Sequence, residues 1–531
     1  MTISVAGVPA SRKTPGVNFN VVLGGSGTSA GQAPRRIMLL GNMIATALSN
    51  SSPSFSVAAG TAAIATPVFV PSPDDAAVLF GSGSELHRMS IAVFAQDPSA
   101  TLYACPVAEA SGTAATVALT FATTATAAFT VRLRLCGEVI DVGVASGDTV
   151  TAIASAVADA INDNPTLPYT AQNSSGVVTI EAKHDGPRGN TLIVDAYFVS
   201  STGAEVRITA SSTSSGAGTT GIWSSNGTIG SEITLANGAT QDNFTDALAA
   251  IEPQRYDRIV GACIDATNTG RIVTHVNAQA GPTVQLLEQP LVGSTDTYAN
   301  VVAFATGRNA SRLQVVWNHA TVIPCWEVAA QVCAARLAGD AAAGGSRVGE
   351  ASDPAANLDS MELVTVLMAR VVGDQPTATE IENALNNGVT PVGASGSRPG
   401  YGVIVRSITS RSLLSGTPNY AVLDTSSVTV PDYIADTLRS DLAVTFAGCK
   451  LSPDSDSAPT APRVVTPSIV RARIAQKLKE AEAAAILINV DANLPLLVVE
   501  ANALVPGRLD CEIPAAVIPG LHLIAGNVRQ L

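Results

Sequence analysis

The sequence predicts a multidomain protein of mixed α/β and α+β class, with a layered α/β core, an inserted β-rich domain and a separate C-terminal domain. Three observations predict it. The length of 531 residues suggests three or four units at ~150 residues each. Strand and helix patterns alternate after residue 258, which is typical of a largely parallel sheet. Between residues 112 and 223 the composition shifts to Thr, Ser, Ala and Gly, with short alternating strand patterns.

The low charge content narrows the classes of function. Only 14% of the residues are charged, against ~25% in average soluble domains, and the net charge is −13. A membrane protein would explain this, but the sequence has no run of about 20 consecutive apolar residues and no targeting segment opens it. We therefore expect no direct membrane insertion. Nucleic acid is a poor partner for so acidic a chain. Two explanations of the low charge content remain. The chain could have large, well-filled apolar cores, or it could be a subunit whose surface is buried against copies of itself.

The first 24 residues predict an extended arm. Val17, Phe19 and Val21 share one face of a strand, and the asparagines between them point to the other face. Pro9 and Pro15 discourage a helix before this strand. Fully extended, the arm could reach roughly 80 Å at ~3.3 Å per residue. Because this exceeds a domain diameter, the arm could leave its own subunit.

Residues 112–223 predict a compact inserted α+β domain with a β-rich composition. Its predicted elements are strands at 129–136 and 139–144, a helix at 150–161 capped by Asp148, and a hairpin formed by 169–173 and 177–182. The chain then leaves through a Ser- and Gly-rich tract at 211–221.

We predict that the α/β core is formed by residues 25–111 and 224–400. Its predicted strands are 258–265, 283–288 and 313–317, and its predicted helices are 269–280, 297–306 and an Ala-rich helix at 324–343. A capping box at 377–380 begins a further helix that stops at Asn387-Gly388.

Residues 401–531 predict a C-terminal domain with a helix that begins at Pro467. Val470, Ile474, Leu478, Ala481 and Ala485 line one side of this helix. Near the end, Leu509, Cys511 and Ile513 alternate with the charged residues Arg508, Asp510 and Glu512, which predicts a strand with apolar residues inward and charges outward. Residues 521–524, including Leu521 and Leu523, predict a final apolar strand.

We expect no catalytic, cofactor-binding or metal-binding residues, and therefore no enzyme. The Gly-rich segment 24–31 lacks the Lys-Ser/Thr of a phosphate-binding loop. The five histidines and seven cysteines show no metal-ligand spacing. Asp265 follows a predicted strand, where α/β enzymes often place function, but a helix-capping role is several times more common. A hydrolase or nucleotide-dependent enzyme built around Asp265 is therefore an alternative with little support.

One local basic group stands out against the acidic total. Arg471, Arg473, Lys477 and Lys479 lie on the helix that begins at Pro467. A solvated helix face and a docking surface for an acidic partner are equally good explanations of this group.

Several segments resemble the tail sheath proteins of contractile-tailed bacteriophages. They are TPGV at 14–17, LFGSGSEL at 79–86, RM at 88–89, DPA at 353–355, NGVTP at 387–391, VIVRSIT at 403–409, VTPSIVR at 465–471 and PGLHL at 519–523. They run through most of the chain and are densest in its final third. The inserted domain lies outside these segments and is similar to the variable outer domains that such proteins carry.

The resemblance implies a contractile tail sheath subunit of the virion tail, assembled in the host bacterial cytoplasm. Such subunits form stacked six-membered rings around a tail tube protein, between a baseplate and a tail terminator, and contract to drive the tube through the host envelope. Terminal arms complete the sheets of neighbouring C-terminal domains by strand exchange. The implied linking residues are Val17, Phe19, Val21, Leu509, Cys511, Ile513, Leu521 and Leu523, and the implied tube-facing residues are Arg471, Arg473, Lys477 and Lys479. A related injection particle and a static surface protein are the alternatives.

Overall fold

The computed structural model describes residues 35–51, 54–121, 124–207, 233–263, 265–339, 348–454 and 463–529. The predicted N-terminal linking arm, with Val17, Phe19 and Val21, lies outside the described residues, and so does the tract 211–221.

The α/β core begins with a central strand and its neighbours. Its first elements are β1 (Arg36–Asn42), β2 (Leu48–Ser51), β3 (Ser54–Val57), β4 (Val68–Val70), α1 (Pro73–Phe80), α2 (Glu85–Gln96) and β5 (Thr101–Val107). β1 pairs in parallel with β5, and β4 pairs antiparallel with the far edge of β5. Every side chain of β1 after Arg36 is buried, as expected for a strand covered by helices on both faces.

The insert follows β5 and forms separate sheets. It contains β6 (Ala114–Thr120), β7 (Phe129–Leu135), β8 (Glu138–Val144), α3 (Val150–Asn162), β9 (Tyr169–Ser174), β10 (Val177–Asp185), β11 (Ile193–Ser200), β12 (Glu205–Arg207) and β13 (Ile233–Thr234). The predicted hairpin is present as β9 and β10. Thr149, rather than the predicted Asp148, caps α3, because its hydroxyl accepts the N–H of Ala152. Bridges from Thr113 and Thr116 to Ala239 and Ala236 close the insert, so that it extends past residue 223.

The core then resumes with alternating helices and strands. Its elements are α4 (Thr245–Ile251), β14 (Arg258–Gly261), α5 (Ala266–Gln279), β15 (Gln289–Ser294), α6 (Tyr298–Arg308), β16 (Gln314–Trp317), α7 (Cys325–Ala338), β17 (Met361–Leu367), α8 (Ala378–Asn386), β18 (Thr390–Ala394) and β19 (Tyr401–Ile404). Nine described strands of the core form one sheet in the order β17-β19-β18-β16-β15-β14-β1-β5-β4. From β18 to β5 all neighbours run parallel, which confirms the predicted α/β class.

The predicted strand at 283–288 is wrong. These residues form a turn in which the N–H of Val284 donates to Gly281 O at 3.0 Å and Gln285 takes a left-handed φ of 61°. Val284 is 47% exposed. The apolar pattern of this short segment therefore does not reflect the buried face of a strand. The strand lies directly after it, as β15.

The β17 edge of the sheet is covered by two helix side chains. Gln331 Oε1, from α7, accepts the N–H groups of Thr365 and Val366 at 3.1 and 3.0 Å. Gln96 Oε1, from α2, accepts the N–H of Val364 at 3.0 Å, and its Nε2 donates to Glu362 O. These backbone groups of β17 are therefore already bonded within the subunit.

The C-terminal domain has its own apolar core. Its elements are β20 (Leu413–Leu414), β21 (Thr417–Pro418), α9 (Ser426–Thr445), β22 (Lys450–Leu451), β23 (Val464–Val465), α10 (Pro467–Ala483), α11 (Val490–Asn493), β24 (Val498–Ala501) and β25 (Leu509–Glu512). Val470, Ile474, Leu478 and Ala481 of α10 pack against α9, as predicted. Ala485 is exposed, because α10 ends at Ala483 and Ala485 takes a left-handed φ of 53°.

Among the described residues, no helix combines the length and apolar character needed to cross a membrane.

Candidate assembly interface

The carboxyl end of the parallel sheet is where an α/β enzyme would place its site. Asp265 lies there and caps α5, because its carboxylate accepts the N–H of Asn268 at 2.7 Å. The same carboxylate also accepts Gln241 Nε2 and Asn268 Nδ2, each at 3.0 Å. Asp265 therefore has the capping role that its position predicted, and its hydrogen bonds position the start of a helix.

The crevice between the ends of β1 and β14 is filled by an arginine from the insert. Arg188 Nε donates to Glu85 at 2.7 Å, and Arg188 Nη2 donates to Asp242 at 2.5 Å. Asn42, at the end of β1, binds the same two carboxylates through its N–H and its Nδ2 at 2.9 and 3.0 Å. All four side chains are buried. We call Asn42, Glu85, Arg188 and Asp242 the Arg188 cluster.

The charges of the Arg188 cluster compensate one another. Burial lowers the pKa of Arg188, but the adjacent Glu85 and Asp242 carboxylates outweigh it and raise that pKa above its ordinary value. The guanidinium therefore stays charged and holds both acids. Strand order changes direction at this point of the sheet, where a ligand would bind in a nucleotide-dependent enzyme. In this chain that position is occupied by a closed ion cluster. No group of three or more metal-ligating side chains is present among the described residues.

The strand predicted at 508–513 exists as β25, but one of its charges points inward. Leu509 and Cys511 are half-buried against the C-terminal core, as predicted, and Ile513 packs there as well. Asp510, predicted to face outward, is only 2% exposed. Its carboxylate accepts Arg508 Nε and Asn502 Nδ2, each at 2.6 Å. These two donors offset the cost of burying the charge.

β24 and β25 form a two-stranded hairpin. In the described part of the chain these two strands pair with each other and with no further strand. Strand edges that lack a second neighbouring strand are where an incoming strand can pair through backbone N–H and C=O groups. The hairpin is therefore a candidate position for strand addition.

The last described residues form an exposed tail. We call residues 519–529 the C-terminal tail. The strand predicted at 521–524 is absent within the described chain, and Leu521 and Leu523 are 70% and 82% exposed. Ile524 and Val528 are similarly exposed. Large apolar side chains in such a row are unfavourable in water, which favours their burial against another subunit.

The four basic residues of α10 are bonded within their own domain. Arg471 donates to the carbonyls of Leu494 and Leu497, and Arg473 donates to Asp441 at 2.8 Å. Lys477 pairs with Glu480 at 2.7 Å, and Lys479 pairs with Asp491 at 2.6 Å. The hydrogen bond from Arg473 is the largest cause that lowers the pKa of Asp441. The local surface is therefore less basic than the sequence alone suggests.

Other exposed apolar side chains were not predicted. Val444, Ile469, Leu496 and Leu504 lie on the surface of the C-terminal domain. The exposure of Ile469 could have been predicted from the helical periodicity, because Ile469 lies outside the face of α10 that contains Val470 and Ile474. Leu496 and Leu504 lie in irregular segments, where no periodicity separates an exposed position from a buried one.

Comparisons with known proteins agree with the motifs. The chain is 24% identical over 514 residues to the Mu-like prophage FluMu tail sheath protein of Haemophilus influenzae, and the match covers 96% of each chain. The sheath tail protein of Desulfitobacterium hafniense aligns with a TM-score of 0.43 and 15% identity, covering 89% of this chain and 91% of that one. The sheath tail protein of Listeria innocua aligns with a TM-score of 0.39 and 12% identity, covering 90% and 88%. No family model matches the sequence. The full-length relative confirms the resemblance to tail sheath proteins.

Proposed function

Since the chain is a full-length relative of a tail sheath protein, we propose that it is the structural subunit of a contractile tail sheath. Subunits would stack as six-membered rings around a tail tube, between a baseplate and a tail terminator. Contraction of the stack would drive the tube through the host envelope and allow genome ejection. The observation that carries the proposal is similarity over 96% of both chains, because a match of this extent takes in almost the whole chain rather than one shared domain.

The energy for contraction would come from contact between subunits. A sheath that collapses to a shorter, wider lattice can bury more apolar surface, at about 25 cal/mol per Å². The exposed side chains of the C-terminal domain are suited to this role, and no cofactor or catalytic step is required. The subunit would be a component of the virion tail, assembled in the host cytoplasm.

We assign the links between subunits to terminal strands. Leu521 and Leu523 would belong to a donor strand, since their side chains are exposed. Leu509, Cys511 and Ile513 would belong to the accepting sheet, since they already pack against their own domain. Val17, Phe19 and Val21 would supply a second donor strand.

Deletion of residues 1–20 tests the linking role of the N-terminal arm. We expect a folded subunit that no longer polymerises, because a donor strand is lost while the described core is intact. Electron microscopy and size-exclusion chromatography measure this. Deletion of residues 1–8 is the matched control, since it keeps the alternation from Val17 to Val21. Normal tubes from the longer deletion would refute the arm assignment.

We also propose that α10 faces the tube through Arg471, Arg473, Lys477 and Lys479. Lys479 is half-exposed beside Asp491, so it could exchange partners when an acidic surface approaches. Reversal of Arg471 and Lys477 to Glu should weaken binding to purified tail tube protein in low salt. Arg134→Glu, on the insert, is the matched charge reversal. Unchanged tube binding by the α10 variant would remove this assignment.

A further inference from the structure

The C-terminal tail is attached to two different domains before it becomes exposed. Just before the tail, the chain is attached to the C-terminal domain at Val517, which is fully buried and bridges to Leu487. The N–H of Ile488 donates to Ala516 O at 2.9 Å beside this bridge. Five residues later the tail contacts the loop that leads into β17 of the core. The tail therefore crosses from one domain to the other.

His522 makes the contact with the core. Its Nδ1 lies 2.5 Å from Asp359 Oδ2, and its Nε2 lies 3.5 Å from Asp424 Oδ2. Asn357 Nδ2 donates to the carbonyl of Leu521 at 3.1 Å. The imidazole side chain is 24% exposed, although the backbone of the tail around it lies at the surface. Beyond His522, no residue of the described tail forms a hydrogen bond or an ion pair with the rest of the subunit.

The carboxylate of Asp424 and the backbone of Asp359, which both face the ring, are held in place by other groups. Arg406 binds both oxygens of Asp424 at 2.7 and 2.9 Å. The N–H of Asp359 donates to Asn357 Oδ1 at 3.0 Å. Bonds of this kind fix an acceptor before its ligand arrives, which lowers the entropic cost of the contact.

Gly520 allows the ring to fold back over the chain. A Cβ atom at this position would lie 2.9 Å from His522 Cε1, closer than real Cβ contacts. The same Cβ would lie 3.5 Å from Asn357 Cγ. A side chain at residue 520 would therefore displace the imidazole from the carboxylates.

We propose that His522 is a clamp that fixes the root of the C-terminal tail to the core, so that the core sets the direction in which the tail leaves the subunit. The inference rests on the proposed function, in which the tail reaches a neighbouring subunit. Asp359 precedes β17, and Asp424 precedes α9 of the C-terminal domain. A shift between these two elements would alter both contacts of the ring, so the clamp also links tail direction to domain arrangement.

Limited proteolysis of the unassembled full-length subunit tests the clamp. Chymotrypsin should cleave after Leu521 or Leu523, and intact mass spectrometry gives the initial rate. His522→Ala should raise this rate about fivefold, the size expected from losing one side-chain hydrogen bond. His522→Asn should fall between the two, because its Nδ2 can take the position of Nδ1. Asn527→Ala, further along the tail, should leave the rate unchanged.

A double-mutant cycle separates the clamp from a general loosening of the tail. Asp359→Ala should raise the rate as His522→Ala does, and the double variant should cleave no faster than the single variants. Equal cleavage of His522→Ala and the unmodified chain would overturn the clamp, and so would additive effects.

Tube formation is recorded separately by electron microscopy. His522→Ala should need about threefold more protein to form tubes, which follows from a less directed tail. Failure of the unmodified chain to form tubes would refute the proposed function, whatever the cleavage rates. Tubes with unchanged cleavage in His522→Ala would refute the clamp alone.

Discussion

The insert and the C-terminal domain differ in how many of their large apolar side chains are exposed to solvent. Within the described insert, Val139 is the only large apolar side chain that is exposed. The C-terminal domain and its tail expose many, namely Leu414, Tyr420, Val444, Ile469, Leu496, Val498, Leu504, Leu521, Leu523, Ile524 and Val528. The described part of the insert therefore keeps nearly all its large apolar side chains covered, whereas the C-terminal domain leaves many of them exposed to solvent.

The insert achieves this by sharing a core with the α/β domain. Apolar residues of β7, such as Val131 and Leu133, belong to the same buried cluster as Leu39 and Met89 of the core. The Arg188 cluster adds buried charge pairs across the same junction, and Arg88, which pairs with Glu327 inside the core, donates from Nη2 to Cys136 O of the insert at 3.2 Å. The insert is thus joined to the core by shared apolar and charged contacts, whereas exposed apolar side chains are concentrated in the C-terminal domain.

Removal of Arg188 should have the largest effect on folding. Arg188→Ala leaves Glu85 and Asp242 buried without their cation, which typically costs about 3–5 kcal/mol. Urea denaturation should show this as a lower midpoint. Arg132→Ala is the matched control, because Arg132 pairs with Asp141 on an exposed surface and such pairs contribute little. If the urea midpoint of Arg188→Ala were close to that of the unmodified protein, the Arg188 cluster would not stabilise the junction between the insert and the core.

Aspartate substitutions in the C-terminal tail should weaken assembly and leave the stability of the folded subunit unchanged. Leu523→Asp combined with Ile524→Asp should raise the protein concentration needed for tubes by about tenfold or more, since two exposed apolar side chains lose their burial. Sedimentation measures assembly, and urea denaturation should give an unchanged midpoint. Val139→Asp in the insert is the control. Equal loss of assembly in both variants would remove the distinction between the two regions.

An effect that depends on pH is expected in the α/β core, at Glu288. Burial raises the pKa of Glu288 from about 4.5 to about 8, against the hydrogen bond from the Tyr256 N–H. The folded state thus holds a proton that the unfolded state releases between these pH values. Stability should fall as the pH rises from about 5 to about 8.

Glu288→Gln tests this pH dependence. Urea midpoints measured from pH 5 to 8.5 should change less steeply in the variant, because the amide cannot titrate. A slope as steep as that of the unmodified protein would show that other groups carry the dependence. Arg132→Ala should keep the original slope.

Local structure was predictable where one segment determines it. The capping box at Thr377 and Glu380 forms as predicted, because both partners lie within one helical turn. The buried face of α10 followed from its periodicity. β1 and β5 were missing from the predicted elements, because short apolar runs do not distinguish strand from helix without their neighbours.

The sites depend on contacts between residues that are distant in sequence. Arg188 binds Glu85 across 103 positions, and His522 meets Asp359 across 163. Neither pair has a sequence spacing from which the contact could be predicted. Asp510 shows the same limit, because its inward orientation depends on Asn502 from the other side of the hairpin. The resemblance to tail sheath proteins was detectable because it depends on the order of short segments, which needs no knowledge of contacts.

The two glutamines on the β17 edge have a consequence for the fidelity of polymer growth. If subunits link by exchanging strands, any open edge competes as a wrong acceptor and would branch or terminate the polymer. Gln96 and Gln331 occupy the backbone N–H groups of residues 364–366, so this edge offers no ladder to an arriving strand. In such a polymer, Gln96 and Gln331 would hinder mispairing at β17, which lies away from the proposed acceptor, the β24–β25 hairpin.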